Sequence, residues 1–367
     1  MDRVSALPQD TVEKILTLMP LKDAVRTSIL SKKWRYSWTT IPKLVFNQNM
    51  ILSSRNKLLD KYKFVNAIFH VFLQHTGPIL EFSLIVTAED FSSEIDQILL
   101  HLSRRNNIKK FVFETSGNPS LWLPPSIFSL QGLEHLHLSY CGFEPLLLNK
   151  GFRMLKSLHL WEPWITNKIL PGFLTNCPLL EKFTWKSYNP DIELNESEWV
   201  ELLKCLPLVQ VLELSRLIIK HLAAGDIPQK HTVSLPNLRI LVIYTCFVEL
   251  PFVLNMICGS PNLENIKLKM CSDHDEGCLD HDLPDIKDYT GLKLDHLKEM
   301  EITRFNNHDR EMEFVKLIMA NSPVLKKARL ELNSDISVDE EVKMLRDLMH
   351  IPFLRASPIT IERPKDD

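Results

Sequence analysis

A chain of 367 residues with 45 % hydrophobic residues holds enough apolar material for a large core, and its formal charge of -3 gives no ground for nucleic acid or an anionic membrane as the main partner. No apolar run approaches the roughly 20 residues that span a bilayer, and no long apolar segment follows the first residues as a signal peptide requires. Ten glycines include no GxGxxG or GxxxxGKS/T loop, which excludes the usual phosphate cradles, and seven cysteines without a secretion signal read as reduced thiols of the cytosol or nucleus.

The chain opens on three predicted short helices. The first starts at Asp10, whose side chain can cap free amides with Glu13 as reciprocal partner; Val12, Ile15, Leu16 and Met19 recur at helical spacing, and Pro20 stops it. The second carries Leu21, Val25 and Ile29 on one line. The third starts with Ser31 as cap, sets Leu30, Trp34 and Trp38 four apart, and ends before Pro42. Three short helices cannot bury so much apolar surface among themselves, which points to a partner. The segment is locally basic, with Lys14, Lys22, Arg26, Lys32, Lys33 and Arg35 against Asp10, Glu13 and Asp23. That balance suits an acidic partner surface.

The Leu7-Pro8 opening, the Pro20-Leu21-Lys22-Asp23-Ala24 second helix and the Leu30-Ser31-Lys32-Lys33-Trp34-Arg35 third helix occur in order over about residues 4–45. Together they resemble an F-box, the motif that docks onto the Skp-type adaptor of cullin-RING ubiquitin ligases. The resemblance implies adaptor contacts by Leu7, Pro8, Ile15, Leu16, Leu21, Val25, Leu30, Ser31 and Trp34. The plainer alternative is a three-helix cap packed on its own domain.

Next, Leu58, Leu59, Tyr62, Val65, Phe69 and Phe72 mark a long amphipathic helix ending at Thr76-Gly77-Pro78, where glycine permits a left-handed cap. A strand follows from Leu80 to Val86, then a helix on Ile95, Ile98, Leu99 and Leu102. From there a Leu-x-x-Leu-x-Leu pattern takes over, with segments starting at Ile108, Leu133, Leu155, Leu180, Val209, Leu238, Leu263, Leu297 and Leu325. The spacings between starts are 25, 22, 25, 29, 29, 25, 34 and 28, mostly those of a leucine-rich repeat. Phrases such as Cys177-Pro178-Leu179-Leu180, Leu235-Pro236-Asn237-Leu238 and Ser260-Pro261-Asn262-Leu263 introduce several units, the proline ending one segment and setting the turn into the next. At the back, Met312, Val315, Ile318 and Met319 predict a helix and 325–332 a strand. Ser337 with Glu340 caps a last helix on Val342, Leu345 and Leu348, and 359–361 form a last strand.

The predicted class is α/β: a small three-helix unit at 1–46, a helical linker and cap at 47–107, repeats at 108–290 and a closing segment at 291–367. The repeats should stack as a curved solenoid, parallel strands on the concave face and helices or irregular segments on the convex face, each turn burying its leucines against its neighbours. The layout resembles the plant F-box/leucine-rich-repeat/FBD proteins, on the strength of His75-Thr76-Gly77-Pro78-Ile79, Leu102-Ser103-Arg104-Arg105, Cys177-Pro178-Leu179-Leu180-Glu181 and an FBD-like tail at 290–362.

Little in the chain points to chemistry. Cys271, His274, Cys278 and His281 have the spacing C-x2-H-x3-C-x2-H of a zinc site. Cys271, however, occupies the repeat's own turn position, as do Cys141 and Cys246, and the stretch to Asp288 reads as a solvated acidic loop. No metal, cofactor or catalytic residue is therefore expected; neither a GxSxG elbow nor an HExxH helix is present. Recognition is better supported. In a Leu-x-x-Leu-x-Leu strand the residues between and just after the last two leucines point away from the core. These are His137 and Ser139, His159 and Trp161, Thr184 and Lys186, Glu213 and Ser215, Val242 and Tyr244, Lys267 and Lys269. From them His159, Trp161, Lys186, Glu213, Tyr244, Lys267 and Lys269 are the expected target contacts, unless the register is off by one and Trp161 is core.

The expected role is a non-catalytic substrate receptor. The front helices bind the adaptor, and through it the cullin and RING subunits; the repeats hold an unknown target protein. The alternatives are a repeat scaffold outside any ligase and a small-molecule-dependent co-receptor, the latter disfavoured because no dense Arg/Lys cluster for an anionic cofactor is visible in the sequence.

Overall fold

Leucine alternating with polar residues gives each repeat a strand with one apolar face, and that face can be buried only beside another strand at the same height. The computed structural model describes residues 7–32, 34–50, 57–87, 91–105, 107–116, 121–143, 150–164, 169–188, 196–223, 234–271, 289, 292–334, 336–349 and 359–363. It comprises two compact units, residues 1–165 and 166–367, each built on a parallel sheet with strands in chain order.

The first unit begins with helices α1 (Gln9–Thr17) and α2 (Leu21–Arg26), followed by tight 3-10 turns at Thr27–Ile29 and Trp34–Thr40. Helix α1 starts one residue ahead of the expected cap: Pro8 stands at the N-cap with no side-chain capping bond, so Asp10 lies inside the first turn. Glu13 is not its reciprocal partner and instead accepts hydrogen bonds from Gln9 Nε2 and Thr40 Oγ1, both at 3.3 Å. Ser31 does act as expected, its hydroxyl accepting from the Trp34 amide at 3.4 Å, ahead of a 3-10 rather than an α-helical third segment.

Strands β1 (Lys43–Asn47), β2 (Glu81–Thr87), β3 (Lys110–Ser116), β4 (Trp122–Leu123), β5 (His135–Ser139), β6 (Gly142–Phe143) and β7 (Ser157–Trp161) follow, with helices α3 (Lys57–Gln74) and α4 (Ser92–Arg105) between the first three. β4 pairs with β6; the other five form the sheet. Their inward residues stand in two rows, Leu44, Phe82, Phe111, Leu136, Leu158 and Phe46, Leu84, Phe113, Leu138, Leu160, all buried. Helix α3 presents Phe64, Ile68 and Phe72 inward, so Leu58, Leu59 and Tyr62, expected on that face, are exposed. Gly77 is not a left-handed cap. Its amide and that of Thr76 donate to the Thr39 carbonyl at 3.1 and 2.9 Å, and a Cβ on Gly77 would come within 2.8 Å of Thr40 Cα. Glycine is needed there for close approach.

A buried polar knot secures this junction. His75 is buried, with Nε2 2.9 Å from the Ile41 carbonyl, and the Arg105 guanidinium reaches the carbonyls of Phe72 at 3.2 Å, His75 at 3.0 Å and Gly77 at 3.4 Å. Arg105 Nη1 also lies 3.5 Å from His75 Nδ1, which makes Nδ1 the acceptor and Nε2 the donor of a neutral ring. Burial first, and then the Arg105 charge, hold the His75 pKa below its ordinary value against the opposing pull of the Ile41 carbonyl.

The second unit alternates α5 (Ile169–Thr175), β8 (Lys182–Lys186), α6 (Glu196–Lys204), β9 (Val211–Leu214), α7 (Arg216–Ala223), β10 (Ile240–Thr245), α8 (Leu250–Cys258) and β11 (Asn265–Met270). It continues with β12 (Glu299–Phe305), α9 (Asp309–Ala320), β13 (Lys327–Leu332), α10 (Val338–Met349) and β14 (Ile359–Glu362). Two inward rows recur: Phe183, Leu212, Leu241, Ile266, Met300, Ala328, Ile359 and Trp185, Leu214, Ile243, Leu268, Ile302, Leu330, Ile361. The proline phrases have a second use: Asn237 Nδ2 donates to the Pro207 carbonyl and Asn262 Nδ2 to the Pro236 carbonyl, each at 2.8 Å, lacing successive repeats. Ser337 and Glu340 form the expected reciprocal cap of α10, whose inward residues are Met344 and Leu348 while Val342 is exposed.

Two buried glutamates close strand-to-helix turns. Glu249 Oε2 accepts from the Cys246 amide at 2.7 Å and the Thr245 hydroxyl at 3.0 Å; Glu311 Oε2 accepts from the amides of Asn306 at 2.9 Å and His308 at 3.3 Å. Burial outweighs these bonds and pushes the Glu311 pKa from 4.5 up to about 7. A raised native pKa contributes stability that is complete below the unfolded value near 4.5 and lost as pH rises through about 7. A shift of that size is worth at most ~3 kcal/mol. Glu311→Gln, which cannot ionise, should therefore gain on the wild type in urea-midpoint stability between pH 5 and pH 8; parallel pH profiles for the two proteins would contradict this.

Candidate functional site

The helices of the first unit enclose a core of Val12, Leu16, Ala24, Trp34, Trp38 and Ile41, against which Leu7, Met19, Leu21, Val25 and Val71 pack. Of the residues expected to meet an adaptor, Leu16 at 0 % exposure and Trp34 at 3 % belong to this core and are corrected to structural roles. Leu7, Leu21 and Val25 are half-buried against it, and Ser31 serves as cap. Pro8, Ile15 and Leu30 are exposed. The largest apolar exposures fall on residues outside the expected contacts: Leu18 at 88 % and Ile29 at 87 %, with Tyr36 also in water. Ile29 leaves the expected Leu21–Val25 line because α2 gives way to a 3-10 turn after Arg26. Ile15 and Leu18 share one face of α1 by their spacing. Lys14, Lys22, Arg26, Lys32 and Arg35 are exposed, and the Arg26–Asp23 pair at 3.3 Å is a surface contact of little energetic weight.

On the sheet of the first unit, β7 buries Leu158 and Leu160 and turns His159 and Trp161 to the other face, so the register places Trp161 outside the core. The His159 ring stacks on His137 at 4.1 Å and lies 6.4 Å from the Trp161 ring. His137 Nε2 is 3.0 Å from the Ser139 hydroxyl and 3.8 Å from Glu114. Burial, then the charge of Lys110, lowers the His137 pKa, which favours an uncharged ring in the stack. Ser139 itself is buried, contrary to expectation.

In the second unit the outward residues form charge ladders. Lys186 Nζ pairs with Glu213 at 2.6 Å and lies 5.1 Å above the Tyr244 ring, with the Tyr244 hydroxyl at 3.4 Å. Burial alone would lower the Lys186 pKa, but Glu213 prevails and raises it. Lys269 stands 5.5 Å from the same tyrosine ring. Lys267 pairs with Glu301 at 3.2 Å, and Arg329 pairs with Glu331 and Glu362, each at 3.0 Å. Glu301, bonded to Lys267 and Arg329, keeps a lowered pKa despite its burial. Thr184 and Ser215, expected outward, are buried, Thr184 donating to Glu213 at 3.3 Å and Ser215 exchanging two hydrogen bonds with the Ser187 backbone.

Two clefts open on this unit. One of about 440 Å³ is lined by Tyr188, Arg216, Lys220, Tyr244, Lys269 and Arg304, among others; another of about 550 Å³ by Lys269, Arg304, Arg329 and Arg363 with Glu331 and Glu362. The expectation of no dense Arg/Lys cluster is thus corrected: Arg216 and Lys220 come from α7, Lys269 from β11, Arg304 from β12 and Arg329 from β13, a gathering that linear sequence does not display. Among the described residues no group of three potential metal ligands occurs, and no helix is long and apolar enough to cross a membrane. His274, Cys278 and His281 lie outside the described residues.

Comparison with known proteins adds three family matches: the F-box domain over residues 4–46, the LRR repeats of the FBD-associated F-box protein At5g56370 over 97–205, and FBD over 294–330. The F-box/FBD/LRR-repeat protein At1g13570 of Arabidopsis thaliana is 30 % identical over 409 aligned positions, covering 97 % of this chain and 97 % of that protein. The FBD-associated F-box protein At5g56370 of the same plant is 32 % identical over 197, covering 53 % and 45 %. A chain in the crystal structure of the yeast Rad7 and Elc1 complex aligns at a TM-score of 0.43 with 12 % identity, covering 75 % of this chain and 68 % of that one.

Burial separates the roles of the front residues. Leu16→Ala and Trp34→Ala should each destabilise the protein by about 2–5 kcal/mol, whereas Ile29→Ala and Leu30→Ala should stay within about 0.5 kcal/mol of wild type. Chemical denaturation of the four variants is the measurement, and a similar loss in all four would show that Ile29 and Leu30 are covered by their own chain.

Proposed function

The chain belongs to the F-box/FBD/LRR-repeat proteins, and from that membership we propose that it is the substrate-recognition subunit of an SCF-type (Skp-adaptor/cullin/F-box) ubiquitin ligase, acting in the cytosol or nucleus. The observation that carries the reading is the set of large apolar side chains left in water around an already complete small core: Ile15, Leu18, Ile29, Leu30 and Tyr36. Exposed apolar groups of this size, ringed by basic residues, are what an acidic-rimmed protein partner would cover. The adaptor is proposed to dock there, linking the chain to cullin and RING subunits. Leu7, Pro8, Leu21 and Val25 are proposed to meet the adaptor beside that surface, with Leu16 and Trp34 supporting it from the core.

The strand faces are proposed to hold the target. His159 and Trp161 offer an aromatic surface; Lys186, Glu213, Tyr244, Lys267 and Lys269 offer a polar one on the other unit. No acid, base or nucleophile is required of this chain, because bringing the target near the ubiquitin-charged enzyme supplies the rate by proximity. The repeats would act as a solenoid scaffold for that positioning.

Two experiments test the reading. Co-expressed with a Skp-type adaptor, the full chain should co-purify with it, and Ile29→Asp combined with Leu30→Asp should abolish co-purification without lowering the melting temperature. Retention of the adaptor by that folded double variant would displace the proposed interface. For the target face, Trp161→Ala should keep fold and adaptor while reducing the proteins enriched by proximity labelling under proteasome inhibition; an unchanged set would remove Trp161 from the target contacts.

A further inference from the structure

The joint between the opening helices and the first strands sets two histidines against one arginine. Arg105 reaches the last carbonyls of α3, at Phe72 and His75, and the Gly77 carbonyl beyond them, so a cation stands at the negative end of that helix. His75, 3 % exposed, has both ring nitrogens engaged: Nε2 donates to the Ile41 carbonyl at 2.9 Å, and Nδ1 faces Arg105 Nη1 at 3.5 Å. His101 lies four residues before Arg105 on the same face of α4, its ring stacked on Phe72 at 4.3 Å between centroids and 11° between planes. The His101 Nε2 is buried and has no hydrogen-bond partner among the described residues.

Neither ring has a place for a second proton. On His75 it would go to Nδ1, setting N–H against N–H and one positive charge 3.5 Å from another. On His101 it would charge a ring whose buried nitrogen has no acceptor, one helical turn from Arg105. Burial is the largest cause acting against the charged form of each ring, and Arg105 adds to it on both. The Ile41 carbonyl pulls the other way on His75 and is outweighed, while Arg104 reinforces the effect on His101. Among the described residues no carboxylate acts on either ring: Glu13, which reaches the joint from α1, stops at the Thr40 hydroxyl at 3.3 Å. His70 of α3 is exposed.

We propose that this joint is an acid-released latch, in which protonation of His75 and His101 loosens the grip of Arg105 on the end of α3 and uncouples the opening helices from the strands. The last turn of α3 carries Val71, which packs on the core of the opening helices, and leads into the residues that tie the two parts together. The amides of Thr76 and Gly77 donate to the Thr39 carbonyl, and those of Leu80 and Glu81 to the Pro42 carbonyl, at 2.8 to 3.1 Å. In the open joint each ring returns to its ordinary value near 6.5, so opening takes up protons below that pH. The latch is at full strength above about pH 6.5 and weakens as pH falls below it. It rests on contacts within the chain and stands whether or not the ligase reading does.

Hydrogen–deuterium exchange of the full chain tests this, read as protection factors so that the intrinsic pH dependence of exchange is removed. The amides of residues 76–81 report the joint, and those of β5 and β7 serve as reference. Between pH 7.5 and pH 5.5 protection at 76–81 should fall at least ~10-fold, the change produced when opening takes up one proton, and approach ~100-fold if both rings take one. Protection in β5 and β7 should hold. His75→Gln keeps a donor for the Ile41 carbonyl and cannot be charged; His101→Phe keeps the stack without a titrating ring. Each should flatten the pH profile at 76–81, whatever its own level of protection at pH 7.5. Protection at 76–81 of the wild type that does not change with pH would overturn the proposal without recourse to any variant. A parallel loss in β5 and β7 would overturn it too, because it marks unfolding of the whole unit. A His75→Gln profile as steep as that of the wild type would remove His75 from the latch and with it the proposal.

Discussion

Each strand can bury its two inward residues only if the next strand stands at the same height, because a slip of one residue would turn leucine to water and charge to the core. That constraint sets both sheets. It aligns Leu44, Phe82, Phe111, Leu136 and Leu158 in one unit, and Phe183, Leu212, Leu241, Ile266, Met300 and Ala328 in the other. A fully buried leucine contributes roughly 1.5–3 kcal/mol, so the rows dominate the energetics, and the outward face inherits their alignment. Neighbouring outward residues thereby meet in rows of their own, and the ion pairs from Lys267 through Glu301 to Arg329 are a by-product of hydrophobic register.

Against that regular background the departures carry the functional content. The pairing of β12 and β13 breaks step at the left-handed Arg304, whose side chain lines both clefts of the second unit. The opening helices complete a core and still leave Leu18 and Ile29 almost fully in solvent. Both features depart from the regular packing of the rest of the described chain.

Much of this was legible beforehand. Period-two alternation located the repeat strands; the capping pair Ser337 and Glu340 located α10; Leu-Pro and Leu-Ser-Lys-Lys-Trp-Arg located the opening helices. What escaped was decided by tertiary context. Leu16 and Trp34 are assigned to the adaptor contacts by the F-box resemblance alone, and helix-face arithmetic cannot tell a small unit's own core, where both lie, from its partner's. Helix α8 is apolar on every side, with Leu250 to Ile257 all buried, so it shows no amphipathic period to read. The cationic cleft gathers Arg216 and Lys220 from α7, Lys269 from β11 and Arg304 from β12, and only the fold brings those three elements together. Gly77 reads in the sequence as a turn residue, yet its requirement is the passage of another backbone 2.8 Å from where a Cβ would sit.

The Arg105 knot has one more implication. Its guanidinium grips main-chain carbonyls at Phe72, His75 and Gly77, and His75 in turn reaches the carbonyl of Ile41. Carbonyl oxygens are offered by any amino acid, so the joint places almost no chemical demand on the identity of most of the residues it grips. Sequence at the joint is thereby constrained at Arg105 and His75, whose side chains make the bonds, and at Gly77, where close approach excludes a Cβ, and hardly at all at residues that supply only a carbonyl.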